Sequence, residues 1–435
     1  MRKRFSPNRF PNPFMVKLMG KAVVSLIVFV LFASPLSGWE FERRGHQFGN
    51  EFSYAILPLP YDLPGIGKGF GLGGGALNIN DSYIDAYGLI IGGDVEGWAT
   101  GLADIHLIEK RLILDIGKSN LSKAAFAINY SRGMEGNEDP DDFNSAEISS
   151  VDSIGGQLVL TFEERRYELT LQLYDIQFRL DKIRDKDGDI LLEIDDEEED
   201  SRVIDLGFTL DFTDDRYDPR SGFRFRINRN FPQDTYADAA KYFVVDSNVT
   251  AYFPMLTNST WVFNYFESDA HVISRGETDR AELVKKIGLL PCKAGDTECE
   301  TAREQVLDEA VAINTYGSAS TLGGNSRLRS FISMRFRGAH TRFLGTEFRW
   351  NLTDENTRFN IWFMQDLRTA IQLAFFHETG TIADQRTDLW DERRHSTGIG
   401  LRAIMGSGFV YRAEYATGEE GKQFVLFFGY PWDVL

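Results

Sequence analysis

From about residue 67 to the C-terminus the chain alternates apolar and polar residues with period two, and this pattern most restricts what it can fold into. In GFVYRAEYA, Phe409, Tyr411, Ala413 and Tyr415 share one face of an extended chain, and Val410, Arg412 and Glu414 share the other. In GIGLRAIM, Ile399, Leu401, Ala403 and Met405 oppose Gly400 and Arg402, and FRFRI sets Phe223, Phe225 and Ile227 against Arg224 and Arg226. A soluble sandwich alternates in the same way; connection lengths separate the two folds. About sixteen strands can be counted, from 67–79 to 422–430, with 110–117 and 123–131 as separate strands. The long polar connections (132–154, 181–201, 230–239, 271–338 and 380–395) all follow odd-numbered strands, and most of the others are short. Residues 356–367 read as a turn and the lead-in to the thirteenth strand. Short turns at one end and long loops at the other specify an all-β fold, a transmembrane antiparallel barrel. Lipid offers no hydrogen bonds, so the sheet must close, with apolar side chains outward and polar ones in the lumen.

The formal net charge of −18 over 435 residues argues against a nucleic-acid partner, which needs a basic face. The N-terminus departs from this balance. In MVKLMGKAVVSLIVFVLFASPLSG, Lys17 and Lys21 precede an apolar run from Ala22 to Ala33 and then small residues. This reads as a secretory signal over 1–38, with Met15 an alternative start and a membrane anchor the competing reading. Residues 39–66 are expected as a periplasmic lead-in, short of the roughly fifty residues a folded domain needs. The barrel is expected over 67–435, with a loop insertion at 271–338. The two cysteines, Cys292 and Cys299 in CKAGDTEC, are expected to form one disulfide in an exported protein. Helical character at 279–289 and 300–312 makes the surrounding segment a stapled cap.

Four segments carry a family resemblance. DFTDDRYDPRSGFRFRI contains Asp215, Arg216, Asp218, Pro219 and Gly222 in a turn before a strand. TLGGNSRLRSFISMRFRG concentrates arginine in an acidic chain and holds Gly323, Gly324, Arg329 and Phe331. TEFRW supplies Glu347, and FHETG supplies Glu378. Together they resemble the barrel of the BamA/TamA superfamily of outer-membrane assembly and translocation proteins, also called bacterial surface antigens, without its periplasmic POTRA domains. Two residues depart from the family pattern: Ser330 stands in place of Gly, and Glu378 in place of Asp. The resemblance implies a sixth extracellular loop folded back into the lumen, and Arg329 is expected to turn inward and pair with Glu347 and Glu378. It also implies that the last strand carries an insertion signal, on a lipid-facing row of Phe424, Leu426, Phe428, Tyr430 and Trp432.

The remaining motifs carry less. RDKDGDILLEIDDEEED has Gly188 misplaced for a calcium loop and reads as a charged hairpin. The six histidines lack metal-ligand spacing, MGSGF at 405–409 is a tight turn, and no nucleophile and base stand together, so neither a cofactor, a metal nor an enzyme is expected. Arg224, Arg226, Arg402 and Glu414 read as a hydrogen-bonded lumen. The resemblance implies a non-enzymatic barrel in the outer membrane of a Gram-negative bacterium, for protein insertion or translocation; a solute- or substrate-conducting pore is the alternative. Its expected partners are outer-membrane lipid and lipopolysaccharide, with client proteins or a separate periplasmic partner.

Overall fold

The computed structural model describes residues 42–49, 51–128, 132–135, 143–185, 187–193, 199–231, 238–353, 358–361, 364–405 and 410–432. The signal segment expected at 1–38 lies outside them, as does the 405–409 turn apart from Met405. One antiparallel sheet accounts for most of the rest. Its first half comprises β1 (Ser53–Leu63), β2 (Gly67–Leu77), β3 (Asp85–Gly93), β4 (Glu96–Ile108), β5 (Leu112–Ile128), β6 (Asn144–Phe162), β7 (Tyr167–Arg184), β8 (Ile190–Glu193) and β9 (Glu199–Thr213). The second half comprises β10 (Gly222–Phe231), β11 (Lys241–Pro254), β12 (Ser259–Ser274), β13 (His340–Asn351), β14 (Arg358–Ile361), β15 (Met364–Ala383), β16 (Arg394–Met405), β17 (Val410–Gly418) and β18 (Gly421–Phe428). The four-residue β8 and β14 are flaps, because β7 pairs directly with β9 and β13 with β15. Eighteen strands less these two leave a wall of sixteen, and β18 meets β1 to close it.

The expected number of strands is correct, but two of its elements are not. β1 lies inside the segment expected as a lead-in, where Pro58 and Pro60 argue against a strand. β5 is a single 17-residue strand rather than two. Its polar middle is a bulge, where the ladder to β4 slips between Glu96 and Gly97. These errors cancel in the total. Within 356–367, expected as a turn and a strand lead-in, Arg358–Ile361 (β14) pairs antiparallel with the start of β15.

The faces are inverted relative to a soluble protein. Phe70, Ile90, Trp98, Leu344, Phe375 and Phe424 point outward and are exposed, whereas Glu347, Gln372, Glu378, Arg402, Arg412 and Glu414 point inward and are buried. No helix among the described residues is long and apolar enough to cross a membrane.

The sixth long-end loop, between β12 and β13, holds α1 (Arg280–Ile287) and α2 (Thr297–Tyr316). Asp279 caps α1 by accepting from the Ala281 and Glu282 amides, and Asp296 caps α2 through the Cys299 amide. Cys292 and Cys299 are disulfide-bonded. Ile183 of β7 packs with Cys299 and Ala302 of α2, seating the stapled helix on a neighbouring hairpin. Beyond α2 the loop descends into the lumen, where Leu322, Leu328, Phe331 and Phe336 form a dry cluster with wall residues such as Val262, Phe266 and Phe343.

The terminal aromatic row does not stay on the lipid face. Phe424 is exposed and Leu426 and Phe428 are half-buried, but Tyr430 and Trp432 are 4% and 1% exposed and lie inside the barrel. Period two assigns faces only while the chain stays extended, and β18 ends at Phe428. Gly429, at φ +79°, turns the chain inward.

Candidate functional site

Arg329 sits at the centre of the lumen, fully buried. Three strands supply its acceptors. From β15, Glu378 takes the Arg329 Nε–H on Oε1 (2.9 Å) and the Arg329 backbone N–H on Oε2 (3.0 Å). From β17, Glu414 accepts from Nη1 (2.8 Å), and from β13, Glu347 accepts from Nη2 at a longer 3.4 Å. The guanidinium lies 3.3 Å over the Phe376 ring. Burial opposes charge on Arg329, but Glu378, Glu414 and Glu347 more than offset it and hold its pKa above the usual range.

The expected partners Glu347 and Glu378 are both present, but the division of labour differs from expectation. Glu347 belongs mainly to Arg402, which reaches it with two nitrogens (2.7 and 2.6 Å), and to Arg349 (2.7 Å). Glu414 is shared by Arg402 (2.6 Å) and Arg412. Trp432 donates its indole N–H to Glu378 (2.9 Å), so the C-terminal tail enters the same network. Four arginines (329, 349, 402 and 412) thus face three glutamates. The alternation already placed Arg402, Arg412 and Glu414 inside, but their partners depend on strand order, which spacing does not reveal.

The loop tip is shaped by its glycines. Gly323 and Gly324 have φ of +109° and +97°, and a Cβ on Gly323 would lie 2.3 Å from the Ile332 carbonyl. Ser330 is not among the positive-φ positions, so its backbone does not require the family's glycine; Leu328, at φ +55°, takes the left-handed turn. The Ser330 amide donates to Ser396 Oγ (2.7 Å) on β16. Its hydroxyl fills space left by Gly418, where a Cβ would come within 2.2 Å of it. Phe331 stacks edge-on against Phe336 at 5.0 Å.

The second motif folds at the short-turn end. Asp215 accepts from the Tyr217 and Asp218 amides (2.8 and 2.9 Å), which closes the turn. Arg216 Nη1 bonds Glu168 (2.5 Å) on β7, and Pro219 is buried. Gly222 has φ +101° and a Cβ there would meet the Phe212 carbonyl at 2.1 Å, so this glycine is a requirement of the fold.

The sequence profile of the Omp85 superfamily domain matches residues 110–430. The chain belongs to the Omp85 superfamily. It is an outer-membrane β-barrel of the Gram-negative type. No curated protein sequence matches it. Among solved structures, BamA from Haemophilus ducreyi lacking POTRA domains 1–3 is similar, with 11% identity and a TM-score of 0.47, over 87% of this chain and 69% of that one. CdiB from Escherichia coli is similar at 10% identity and TM-score 0.47, over 87% and 62%. CdiB from Acinetobacter baumannii is similar at 12% identity and TM-score 0.45, over 87% and 58%, so the chain spans about three-fifths of either CdiB. For this Omp85 barrel, the in-folded sixth loop and the arginine at its tip are the features that chemistry has to explain.

Proposed function

We propose that this barrel inserts or translocates polypeptide in the outer membrane and catalyses no reaction of its own. The seam is the observation that favours this over a plain pore. The seam edge of β1 carries three registered pairs, Asp62 with Leu426 of β18 and Tyr54 and Ala55 with Gln365 and Met364 of β15, whereas β1 and β2 share eleven and β17 and β18 eight. The chemistry of β1 accounts for the difference. A strand residue directs its N and its C=O to the same side, and the Pro60 carbonyl accepts from the Tyr411 hydroxyl of β17 (2.6 Å), on the seam side. The nitrogens of Pro58 and Pro60 therefore face the seam as well, with no N–H to give. A poorly paired edge is a template to which an incoming strand can add. The clients are accordingly extended polypeptides, the surroundings are lipid and lipopolysaccharide, and a separate periplasmic partner delivers the client.

Cross-linking the seam through Asp62→Cys and Leu426→Cys tests this reading. Other outer-membrane proteins should become depleted, as they should on deletion of the gene, and recover when the link is reduced. An unchanged outer-membrane proteome in both strains defeats the proposal. The second reading, a conducting pore, is favoured by a lumenal cavity of about 180 Å³ whose lining includes Gln157, Thr170, Gln172, Asp205, Arg226 and Asn228. It requires steady conductance with the Arg329 network intact and no change in that proteome.

A further inference from the structure

The turn between β9 and β10 binds both ends of the described chain. From the N-terminal side, Arg43 Nη1 donates to the Thr213 carbonyl (3.0 Å) and lies 3.6 Å from Asp211 Oδ2. The Arg44 amide donates to the Asp214 carbonyl and its Nε to Asp214 Oδ2, both at 2.7 Å, while its Nη2 donates to the Asp218 carbonyl. Gln47 Oε1 accepts from the Arg216 amide (3.0 Å). Phe48 is buried against Ile113 of β5 and Val159 of β6, on their inner faces. From the C-terminal side, the Tyr430 hydroxyl donates to Asp218 Oδ1 (2.8 Å).

Position in the wall gives these contacts their meaning. Counting round from β1, β9 and β10 are eighth and ninth of sixteen, diametrically across from the β1–β18 seam. Residues 43–48 lead into β1, and residues 429–432 lead out of β18. Both seam strands are thus tied to one turn on the far wall, at the short-turn end, although they share one registered pair with each other.

The Arg43–Phe48 stretch is also not a strand of the wall. It is a bent peptide lying on the inner surface, recognised as a peptide ligand would be: two guanidiniums on carboxylates and carbonyls, one carboxamide oxygen accepting from a wall backbone N–H, and one aromatic ring against Ile113 and Val159 with the Arg165 guanidinium over it. We propose that this surface, built by Asp211, Asp214, Asp218, Ile113 and Val159, is a docking site for an arginine-bearing polypeptide segment, and that residues 43–48 fill it in the resting state as a strap across the periplasmic mouth. Release of the strap frees the lead-in of β1, and release of Tyr430 frees the tail of β18, so emptying the site opens the mouth and loosens the seam together. This deepens the polypeptide-handling reading and rests on it, but conductance reports the strap whether or not any client is ever found.

The test uses the full chain in planar bilayers, with the side opposite the long loops accessible. Arg43→Ser with Arg44→Ser leaves the wall and the turn intact and should raise conductance several-fold. Adding the synthetic peptide ERRGHQFG, the sequence of residues 42–49, to that side should lower it again. The same peptide should act far more weakly on a strap variant that also carries Asp214→Asn, which neutralises the carboxylate that accepts the Arg44 Nε–H. Unchanged conductance in the double arginine variant overturns the proposal, and so does a rise that the peptide does not reverse. Should the variant fail to fold, trypsin on the folded wild type decides: protection of the Arg43 and Arg44 bonds supports the strap, and cleavage as fast as in an unfolded peptide overturns it.

Discussion

Arg329→Ala should open the sixth loop, and the structure says which partner will suffer. Removing the guanidinium leaves Glu347 with three hydrogen bonds from Arg402 and Arg349, and leaves Glu414 with Arg402 and Arg412. Glu378 loses the Nε–H bond and the positive charge of Arg329, and keeps only neutral donors, the residue 329 backbone N–H and the Trp432 indole. One carboxylate is therefore stranded in a fully buried site, a defect that typically costs about 3–5 kcal/mol. At about 1.4 kcal/mol per factor of ten, the ratio of closed to open loop should fall by roughly two to three and a half orders of magnitude. Tryptic cleavage after Arg327 or Arg335, which are 7% and 5% exposed in the closed state, reads the open fraction when reclosing is fast. The double change Arg329→Ala with Glu378→Gln removes the stranded charge and should recover about 1–3 kcal/mol relative to the sum of the single changes. Glu347→Gln, paired with Arg329 only at 3.4 Å, should be nearly additive with Arg329→Ala. Full additivity with Glu378→Gln, or stronger coupling to Glu347 than to Glu378, would refute the assignment of Glu378 as the main partner.

Other changes test separate parts of the account. Phe424→Asp places a charge on the lipid face and should lower barrel assembly, at a cost of up to about 2–4 kcal/mol depending on depth, whereas Trp432→Phe should assemble normally and raise loop cleavage; equal assembly defects would put Trp432 back on the lipid face. Pro58→Val with Pro60→Val restores two N–H donors on the seam side and should increase amide-exchange protection of β18; unaltered protection would show that the prolines do not set the seam. Reducing Cys292–Cys299 should sensitise residues 280–316 to protease while the unheated barrel still migrates faster than the boiled chain in detergent electrophoresis, and a loss of that faster band would contradict a purely local staple. Gly222→Ala should destabilise the barrel, because φ +101° and a 2.1 Å approach to a carbonyl leave no room for a methyl group.

Local rules made part of this barrel legible in its sequence. Period two placed Glu347, Arg402, Arg412 and Glu414 inside and Phe424 outside, and loop parity gave the barrel its two ends. Where a local rule was suspended, the reading failed. Pro58 and Pro60 hide β1 because a proline is expected to end a strand, and here the strand uses them at its poorly paired edge. Gly429 breaks the face of the last aromatic row, and no composition signal tells that turn from a strand glycine. Glu414 as an Arg329 partner, and Asp218 as the meeting point of both chain ends, depend on which strands face each other across the lumen. That information belongs to the closed sheet and exists in no short stretch of sequence.

The central claim is that the arginine-bearing tip of the sixth loop rests against the inner wall. Ser330 and Ser396 touch there through their hydroxyl oxygens, one on the loop and one on β16. Replacing both with cysteine places two thiols in the same contact, and they should join in native outer membranes without added oxidant. The linked loop should then resist trypsin even in an Arg329→Ala background. Two free thiols, with the cysteine at 330 labelled by a membrane-impermeant maleimide applied from outside the cell, would place the tip in solvent and contradict the account.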